Sequence, residues 1–416
     1  MSLITFLAVG SRGDTQPYVA LGRGLRARGH EVRVVCSRSY AGLVRDAGLE
    51  CVPLDADIGA LLASPEGQAW LAAGHNPLAL ARRLRTLVGP MADRHFSEIA
   101  AAAEGADYLV CSTLGLIGHS VAVAGITPYC LAGLQPSEPT GEFPTFHVPG
   151  GRSLGRLGNR ASHAVVDQVG WQVFRPLAVD YRRTRTLGKP SLASPLAVLR
   201  RRRRPLIYGY SPAVVPVPGD WRPDVHVTGY WFLEPDAGWR PPDALERFLD
   251  AGPPPVYVGF GSMVPGDAGA TDLLVRAALR RAGVRGLLLG DGPSDESVHV
   301  VRDVPHSWLF PRVAAVVHHG GAGTTAAALR AGVPMVATPF GADQPFWGER
   351  VAALGVGPRP VPFRELTVDA LARAIKAAGD QGMRDRAGRL GRRIAAEDGI
   401  ARACDVIEAD MRKFHA

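Results

Sequence analysis

The sequence has few cysteines and no long apolar run, and each scarcity excludes a class of protein. Its five cysteines, at positions 36, 51, 111, 130 and 404, are odd in number and form no CxxC pair. This spacing excludes a disulfide framework and a zinc motif, and it predicts small buried side chains. No stretch reaches the ~18 uninterrupted apolar residues of a membrane span, and no basic segment precedes the first apolar run. We therefore expect a cytoplasmic protein with no transmembrane segment.

Lysine is almost absent, since only Lys189, Lys376 and Lys413 contribute to the 47 basic residues. The bias toward arginine is typical of a GC-rich genome. A formal net charge of +8 predicts a basic surface that attracts anionic substrates or makes peripheral contact with lipid head groups. No segment combines basic residues with interleaved aromatics, so nucleic acid is not an expected partner. The arginine run 200–204 is interpreted as a solvated loop, because like charges repel.

The chain of 416 residues, 46% of them hydrophobic, is long enough for two or three domains with ample core. Short apolar runs alternate with helical stretches in both halves. These runs lie at 3–9, 31–36, 108–112, 205–210, 256–260, 286–289, 315–318 and 335–338. The alternation predicts an α/β fold with two tandem Rossmann-like domains.

A segment rich in proline and glycine, 212–231, indicates the linker between these domains. We expect an N-terminal domain over 1–218 and a C-terminal domain over 219–397. The tail 398–416 has a helical pattern with Ile400, Cys404, Ile407 and Met411 on one face, and that face must cover something apolar.

The most informative motif is HHGGAGTTAAALRAGVPMVATPFGADQPFWGERV at 318–351. Two histidines end a strand, a glycine-rich turn opens a helix, and the next strand precedes an Asp-Gln pair. A helix N-terminus offers unpaired N–H groups and partial positive charge, which suits a diphosphate. Consecutive glycines let a ligand approach the backbone closely, although a glycine turn also serves as a simple helix entry.

This motif resembles the donor-nucleotide signature of the GT-B fold glycosyltransferases, particularly the branch of sterol glucosyltransferases and actinobacterial antibiotic glycosyltransferases. Further segments similar to that branch are GSRGDTQPYVALG at 10–22, RGHEVRV at 28–34, GFGSM at 259–263 and DVPHSWLFPRV at 303–313. The resemblance covers essentially the whole chain. It implies two Rossmann-like domains that face each other across a cleft, with the acceptor bound by the first domain and the nucleotide sugar by the second. It also implies a C-terminal helix that returns to the first domain.

The resemblance implies a donor site on the second domain. The diphosphate, the uracil or thymine base and the sugar hydroxyls are expected to contact Gly261, Ser262, Val304, Trp308, Leu309, His318, His319, Gly320, Gly321, Gly323, Thr324, Asp343 and Gln344. Among these, His318 aligns with the family's phosphate-contacting histidine, and His319 is the alternative one position later. Trp308 is expected to stack on the base. A strand-end histidine and a tryptophan before Leu-Phe are also common as core residues.

Asp14 follows the first strand, at the edge where a doubly wound sheet presents ligands. Transfer to an alcohol requires loss of the acceptor proton, and a carboxylate within ~3 Å of that hydroxyl serves as general base. The resemblance implies this role for Asp14, with Ser11, Arg12 and Gly13 on the acceptor loop. Many relatives instead pair a histidine in this loop with a later aspartate, but here residues 111–113 (Cys-Ser-Thr) stand where that aspartate is expected. The alternative role for Asp14 is a cap on the following helix.

We therefore predict a metal-independent inverting glycosyltransferase that moves a sugar from a UDP- or TDP-sugar to a hydroxyl of a hydrophobic natural product. Asp55-Ala56-Asp57 spells a DxD metal pattern but lies in the acceptor half, so no metal and no cofactor are expected. A sterol or glycolipid glucosyltransferase is an alternative, and a nucleotide-sugar epimerase of the same fold is another. Aromatic residues expected at a large apolar acceptor pocket are Trp70, Phe143, Phe146, Trp171 and Phe174.

Overall fold

The computed structural model of the protein describes residues 1–55, 77–123, 127–148, 151–235, 238–260 and 268–415. The first sheet contains seven described strands, all of them short, and four of them are almost entirely buried. They are β1 Leu3–Leu7, β2 Glu31–Ser37, β3 Glu50–Leu54, β4 Tyr108–Cys111, β5 Tyr129–Gly133, β6 Leu206–Tyr208 and β7 Val225–Val227. Their order is β3-β2-β1-β4-β5-β6-β7, and each pairing is parallel. Because helices cover both faces of such a sheet, its strands are nearly continuous apolar runs.

The helices of the first domain connect these strands. They are α1 Arg12–Ala27, α2 Ala41–Asp46, α3 Pro77–Ala103, α4 Thr113–Ala122, α5 Gly155–Thr184 and α6 Pro195–Arg201. The long helices α3 and α5 pack beside α4 on one face of the sheet, whereas α1 covers the other. The chain reverses direction along the sheet between β1 and β4, which is the place where doubly wound folds bind ligands.

The second sheet repeats this arrangement with five described strands. They are β8 Val256–Gly259, β9 Gly286–Leu289, β10 Val298–Val301, β11 Ala315–His318 and β12 Met335–Ala337, in the order β10-β9-β8-β11-β12. The helices are α7 Asp243–Asp250, α8 Ala268–Ala282, α9 His306–Leu309, α10 Ala322–Ala331, α11 Gln344–Ala353, α12 Val368–Ala378 and α13 Gln381–Ala395. The corresponding switch point lies between β8 and β11, so each domain has the predicted Rossmann-like topology.

Strand β7 extends the first sheet beyond the division predicted at residue 218. It pairs in parallel with β6, so residues 225–227 belong to the first sheet although they fall in the expected linker. The surrounding prolines obscured this strand in the sequence, because proline donates no ladder hydrogen bond and is confined to sheet edges or strand starts. The chain between the two sheets therefore begins after Val227.

The last helix, α14 Gly399–His415, packs on the first domain. Its Cys404, Ile407 and Met411 are buried in one cluster with α1 and strands of the first sheet. At its far end the hydroxyl of Tyr108 donates to Asp410 Oδ2 at 2.8 Å. The apolar stripe of the tail thus covers the sheet face beside α1.

The arginine run 200–204 is only partly solvated. Positions 201–203 are exposed, but Arg204 is buried. Its Nε donates to the carbonyl of Tyr129 at 3.1 Å, and its guanidinium lies 4.1 Å from the ring centroid of Phe414. The expectation of a solvated loop is therefore wrong at Arg204, which joins β5 to α14.

All five cysteines are free, and only Cys51 among them is not fully buried. Within the described ranges, no helix combines the length and the apolar character that crossing a bilayer requires.

Candidate functional site

The carboxyl ends of the two sheets meet across a cleft. Contacts between its walls include two among the described residues: Gln135 Nε2 donates to Asp343 Oδ2 at 3.0 Å, and Arg12 Nη1 lies 3.7 Å from Asp303 Oδ1. Gln135 follows β5 and Arg12 follows β1, whereas the two aspartates follow strands of the second sheet. The switch points of both domains therefore open into the same space.

Asp14 lies in the first turn of α1 and caps it. The backbone N–H and the hydroxyl of Ser11 both donate to Asp14 Oδ2, at 2.9 and 2.8 Å. Gly10 makes this possible, since its φ is +144° and a Cβ at that position would lie 2.6 Å from the same oxygen. The capping role considered for Asp14 is therefore present, and it occupies one of its two oxygens.

The other oxygen of Asp14 is available for chemistry. Among the described residues, Oδ1 of Asp14 has no hydrogen-bond partner. Burial raises the pKa of Asp14 above its usual range; the Ser11 hydrogen bonds oppose this, and the charge of Asp343 adds to it. A carboxylate with a raised pKa and a free oxygen has the properties of a general base.

Ser112 occupies the position where a second catalytic carboxylate would follow β4. Its hydroxyl accepts from the Gly115 N–H at 3.0 Å and donates to the Val9 carbonyl at 3.2 Å. Both bonds serve the entry of α4, and the preceding Cys111 is buried. Position 112 therefore supplies no partner acid for a histidine-aspartate dyad.

His318 ends β11 and is completely buried. The Gly320 N–H donates to its Nδ1 at 3.1 Å. Burial holds the pKa of His318 well below its usual range, and His319 and His306 act in the same direction. The ring is therefore neutral with its proton on Nε2, an atom that is buried and finds no partner in the described part of the chain.

His319 is the more accessible of the two histidines. It is half-buried, its ring stacks on Phe340 at 5.9 Å, and a Cβ at Gly321 would lie 2.4 Å from its Nε2. Only glycine at 321 lets the imidazole lie against the turn. Burial lowers the pKa of His319, partly offset by the charge of Asp343. His319 thus faces the cleft, while His318 lies beneath it.

The N-terminus of α10 is open to a ligand. Gly321 is the N-cap, no side chain caps the helix, and the Thr325 N–H makes a helical bond to the Gly321 carbonyl at 3.0 Å. The preceding N–H groups of the first turn lack helical acceptors. Gly323 is exposed and Thr324 is half-buried, so this turn is accessible as the sequence predicts for a diphosphate site.

The Asp343-Gln344 pair begins α11. Asp343 Oδ2 accepts from Trp347 Nε1 at 2.8 Å as well as from Gln135. Gln344 is buried, and its Oε1 accepts from the Phe340 N–H at 2.9 Å. Gln344 therefore braces the turn before α11, which leaves its amide nitrogen and Asp343 Oδ1 as the groups available to a sugar.

The expected base-binding residues differ in accessibility. Trp308 is half-buried, 5.3 Å from Trp239 between ring centroids, and the Arg312 guanidinium lies 4.3 Å from its ring. Val304 and Leu309 are buried at 6% and 0% exposure, so their side chains pack in the core of the domain. Of the three side chains expected at the base, Trp308 is therefore the one that a base can reach. Gly261 and Ser262 lie outside the described residues.

No group of three or more metal-ligating side chains occurs in the described ranges. Asp55, the first residue of the DxD pattern, pairs with Arg38 and Arg94, and its N–H donates to Glu98 Oε2 at 3.0 Å. Ala56 and Asp57 lie outside the described residues.

Comparisons with known proteins agree with this geometry. Residues 4–101 match the glycosyltransferase family 28 N-terminal domain, and residues 289–406 match the erythromycin biosynthesis protein CIII-like C-terminal domain. The O-mycaminosyltylonolide 6-deoxyallosyltransferase of Streptomyces fradiae is 39% identical over 412 residues, which cover 97% of this chain and 96% of that protein. The chain belongs to the GT-B glycosyltransferases.

Other relatives of this glycosyltransferase are longer. A sterol 3-beta-glucosyltransferase of Emericella nidulans is 35% identical over 98% of this chain, which spans 30% of that protein. Among solved structures, the kitacinnamycin glycosyltransferase superposes with a TM-score of 0.69 at 22% identity, covering 99% of each chain. The glycosyltransferase VinC, solved with dTDP, superposes at 0.64 with 18% identity over 99% of this chain and 100% of its own. These structures share the GT-B fold.

Two side chains of this glycosyltransferase site were not expected from the sequence. Both Gln135 and Trp347 hydrogen-bond Asp343. Gln135 lies in no segment that suggested chemistry, whereas Trp347 lies within the 318–351 motif but was not among the residues expected to act there. The one signal for Gln135 was its place just after a strand of a parallel sheet, where functional side chains gather. Trp347 belongs to the 318–351 motif and follows Asp343 by one helical turn, but nothing in the motif indicated that its indole binds the carboxylate.

Proposed function

We propose that this glycosyltransferase moves a sugar from a uridine or thymidine diphosphate sugar to a hydroxyl of a hydrophobic natural product, with inversion and without a metal ion. The observation that carries the proposal is Asp14 Oδ1, a carboxylate oxygen with no partner in the described residues, on the wall that faces Asp343. The general base Asp14 lies on one wall of the cleft and the sugar-binding Asp343 on the other. This arrangement supports direct transfer between two bound substrates.

The donor binds on the second domain. The diphosphate accepts hydrogen bonds from the first turn of α10 and from neutral His319, and the positive end of the helix dipole stabilises its charge. Trp308 stacks on the base, and Asp343 and Gln344 bind the sugar hydroxyls. The dTDP bound to VinC supports a thymidine diphosphate donor, since that protein shares this fold.

The acceptor binds the first domain, where an apolar cavity of about 50 Å³ lies between α3, α4 and α5. Its lining includes Val9, next to the Asp14 loop, and Phe174, one of the aromatics expected at this pocket. His95 is the polar side chain in it, and its buried Nδ1 has no partner in the described chain. Of the other expected aromatics, Trp171 packs in the core and Trp70 lies outside the described residues. The cavity suits one apolar substituent near the reacting hydroxyl.

The reaction is a single displacement. The acceptor oxygen attacks the anomeric carbon on the face opposite the diphosphate while Asp14 Oδ1 takes the hydroxyl proton. The bond from the anomeric carbon to the phosphate oxygen breaks, and the nucleoside diphosphate leaves with its electron pair against α10. One displacement inverts the anomeric configuration, and the fixed N–H donors stabilise the leaving charge.

Replacement of Asp14 by asparagine tests this function. Asp14→Asn retains an oxygen that accepts from Ser11 but loses the base, so turnover should fall by about 10² to 10⁴-fold. Affinity for UDP or TDP should stay unchanged, because the carboxylate faces the acceptor. Ser11→Ala is the matched control, since it weakens the cap and keeps the base. An Asp14→Asn enzyme with full transfer activity would leave Asp14 as a cap only.

The 35% identity to sterol 3-beta-glucosyltransferases supports a sterol acceptor as the second candidate. An acceptor panel that contains macrolides and sterols distinguishes the two candidate acceptors. The glycoside formed is detected by mass spectrometry. Turnover of a nucleotide sugar with no acceptor present would instead indicate an epimerase.

A further inference from the structure

Gln135 joins the two domains within the cleft. It lies beyond the carboxyl end of β5, and its Nε2 donates at 3.0 Å to Oδ2 of Asp343 in the second domain. The residues that follow it are fixed, because the N–H groups of Ser137 and Glu138 donate to the buried hydroxyl of Tyr208 at 2.8 and 2.7 Å. Gln135 therefore reaches the second domain from a rigid base.

Two donors hold the same oxygen of Asp343. Trp347 Nε1 donates to Oδ2 at 2.8 Å, and this indole is 1% exposed. Gln135 supplies the second donor from the opposite domain. Because both bonds are made to Oδ2, they fix the plane of the carboxylate and set the direction of Oδ1, which has no hydrogen bond within the described chain.

Only one of these donors depends on the relative position of the domains. The Trp347 bond lies within the second domain, whereas the Gln135 bond crosses the cleft and would be lost if the domains moved apart. Asp343 is also close enough to Asp14 for its charge to raise the pKa of that carboxyl. The hydrogen bond from Gln135 therefore sets the position of Asp343 relative to both the sugar of the donor and the general base Asp14.

We propose that Gln135 is a positioning residue that orients the carboxylate of Asp343 only when the domains are closed, and so couples closure to recognition of the donor's sugar. The inference rests on the proposed function, since it assigns Asp343 to the sugar. The group recognised in this way is the hydroxyl-bearing sugar of a nucleoside diphosphate sugar, and not the nucleotide.

Two substitutions at this position test the inference in the full-length enzyme. Gln135→Ala removes the bridge, and the isosteric Gln135→Glu sets a like charge against Asp343. Each should raise KM for the nucleotide sugar by about 10 to 100-fold, with the larger rise for glutamate. The Kd for UDP or TDP, measured by titration calorimetry, should not change, because neither nucleotide carries the sugar.

Ser211→Ala is the matched control. It removes a hydrogen bond of 2.7 Å from Ser211 Oγ to Glu397, which joins the first domain to the segment after α13. An equal rise in KM in this variant would mean that Gln135 only stabilises the contact between the domains. That result would overturn the inference. An unchanged KM in Gln135→Ala would also overturn it, while the proposed function stands if that enzyme still binds UDP or TDP and transfers sugar. A wild-type protein with neither binding nor transfer would overturn the proposed function itself.

Discussion

Burial shifts the proton affinities of the two central polar side chains in opposite directions. It raises the pKa of Asp14 and lowers the pKa of His319, because a buried group favours its neutral form. His319 therefore acts as a neutral hydrogen-bond donor. Asp14 must lose its proton before it accepts one from an acceptor hydroxyl, and this requirement gives the activity a pH dependence.

The pH profile of kcat/KM should reveal the raised pKa of Asp14. A base is active when ionised, so activity falls as pH falls through a pKa above the ordinary value of about 3.9. Asp343→Asn removes a negative charge that raises this pKa and should move the acid limb to lower pH. An acid limb that stays in place in Asp343→Asn, measured with saturating donor, would contradict the assignment.

His319→Ala should weaken binding of UDP or TDP by about 10 to 100-fold, the value of a hydrogen bond to a charged group. Binding of uridine or thymidine should stay the same, and it serves as the internal control for folding. Titration calorimetry of the four ligands measures the difference. A loss that is equal for nucleosides and diphosphates would remove His319 from the phosphate site.

Among the secondary-structure elements, α1 and α14 pack unusually closely at Gly24. A Cβ on Gly24 would lie 2.4 Å from Ile400 Cγ2 and 3.1 Å from Cys404 Sγ. The glycine therefore lets the last helix approach the first domain. Because α14 follows α13 directly along the chain, this packing also ties the second domain to the first.

Gly24→Ala should destabilise the protein by about 1 to 3 kcal/mol through overpacking, despite the better helix propensity of alanine. Gly170→Ala in α5 is the control, since a Cβ there meets nothing within 4 Å. Denaturant unfolding followed by circular dichroism gives both values. If the two variants are equally stable, the helices tolerate a wider separation than the structure implies.

For the whole molecule, the relative position of the domains depends on the two segments of chain that pass from one domain to the other. These two segments contact each other. Gly229 and Gly399 lie side by side, and a Cβ at Gly399 would lie 2.6 Å from the Gly229 carbonyl oxygen. The bridge between Arg12 and Asp303 is exposed, at 56% and 75% of the side chains, so it contributes little to holding the cleft closed.

Small-angle scattering should show a smaller radius of gyration when UDP or TDP and an acceptor are both bound. The reason is that donor and acceptor groups lie on opposite walls and must meet for transfer. The protein with nucleotide alone is the control, because the acceptor wall of the cleft is then unoccupied. A radius that is the same in all three states would mean that the enzyme does not close on its substrates.

The amino-acid sequence by itself determined three neighbouring strands of the second sheet. Gly286–Leu289 and Ala315–His318 are observed as predicted, and Val256–Gly259 ends one residue earlier. These strands are buried except at Leu289, so their apolar character is local and visible without a fold. The donor motif is also continuous in sequence, which is why the helix N-terminus and the Asp343-Gln344 pair were found together.

Only the tertiary structure decided the features that depend on distant contacts. Strand β7 exists because it pairs with β6, and Arg204 is buried because α14 packs against it. His319 faces the cleft because β11 ends with His318 inside the domain, a difference of one residue that periodicity does not resolve. Gln135 became part of the site only when the second domain brought Asp343 within 3.0 Å of it. Local patterns encode elements, whereas residues joined across hundreds of positions acquire their roles from packing.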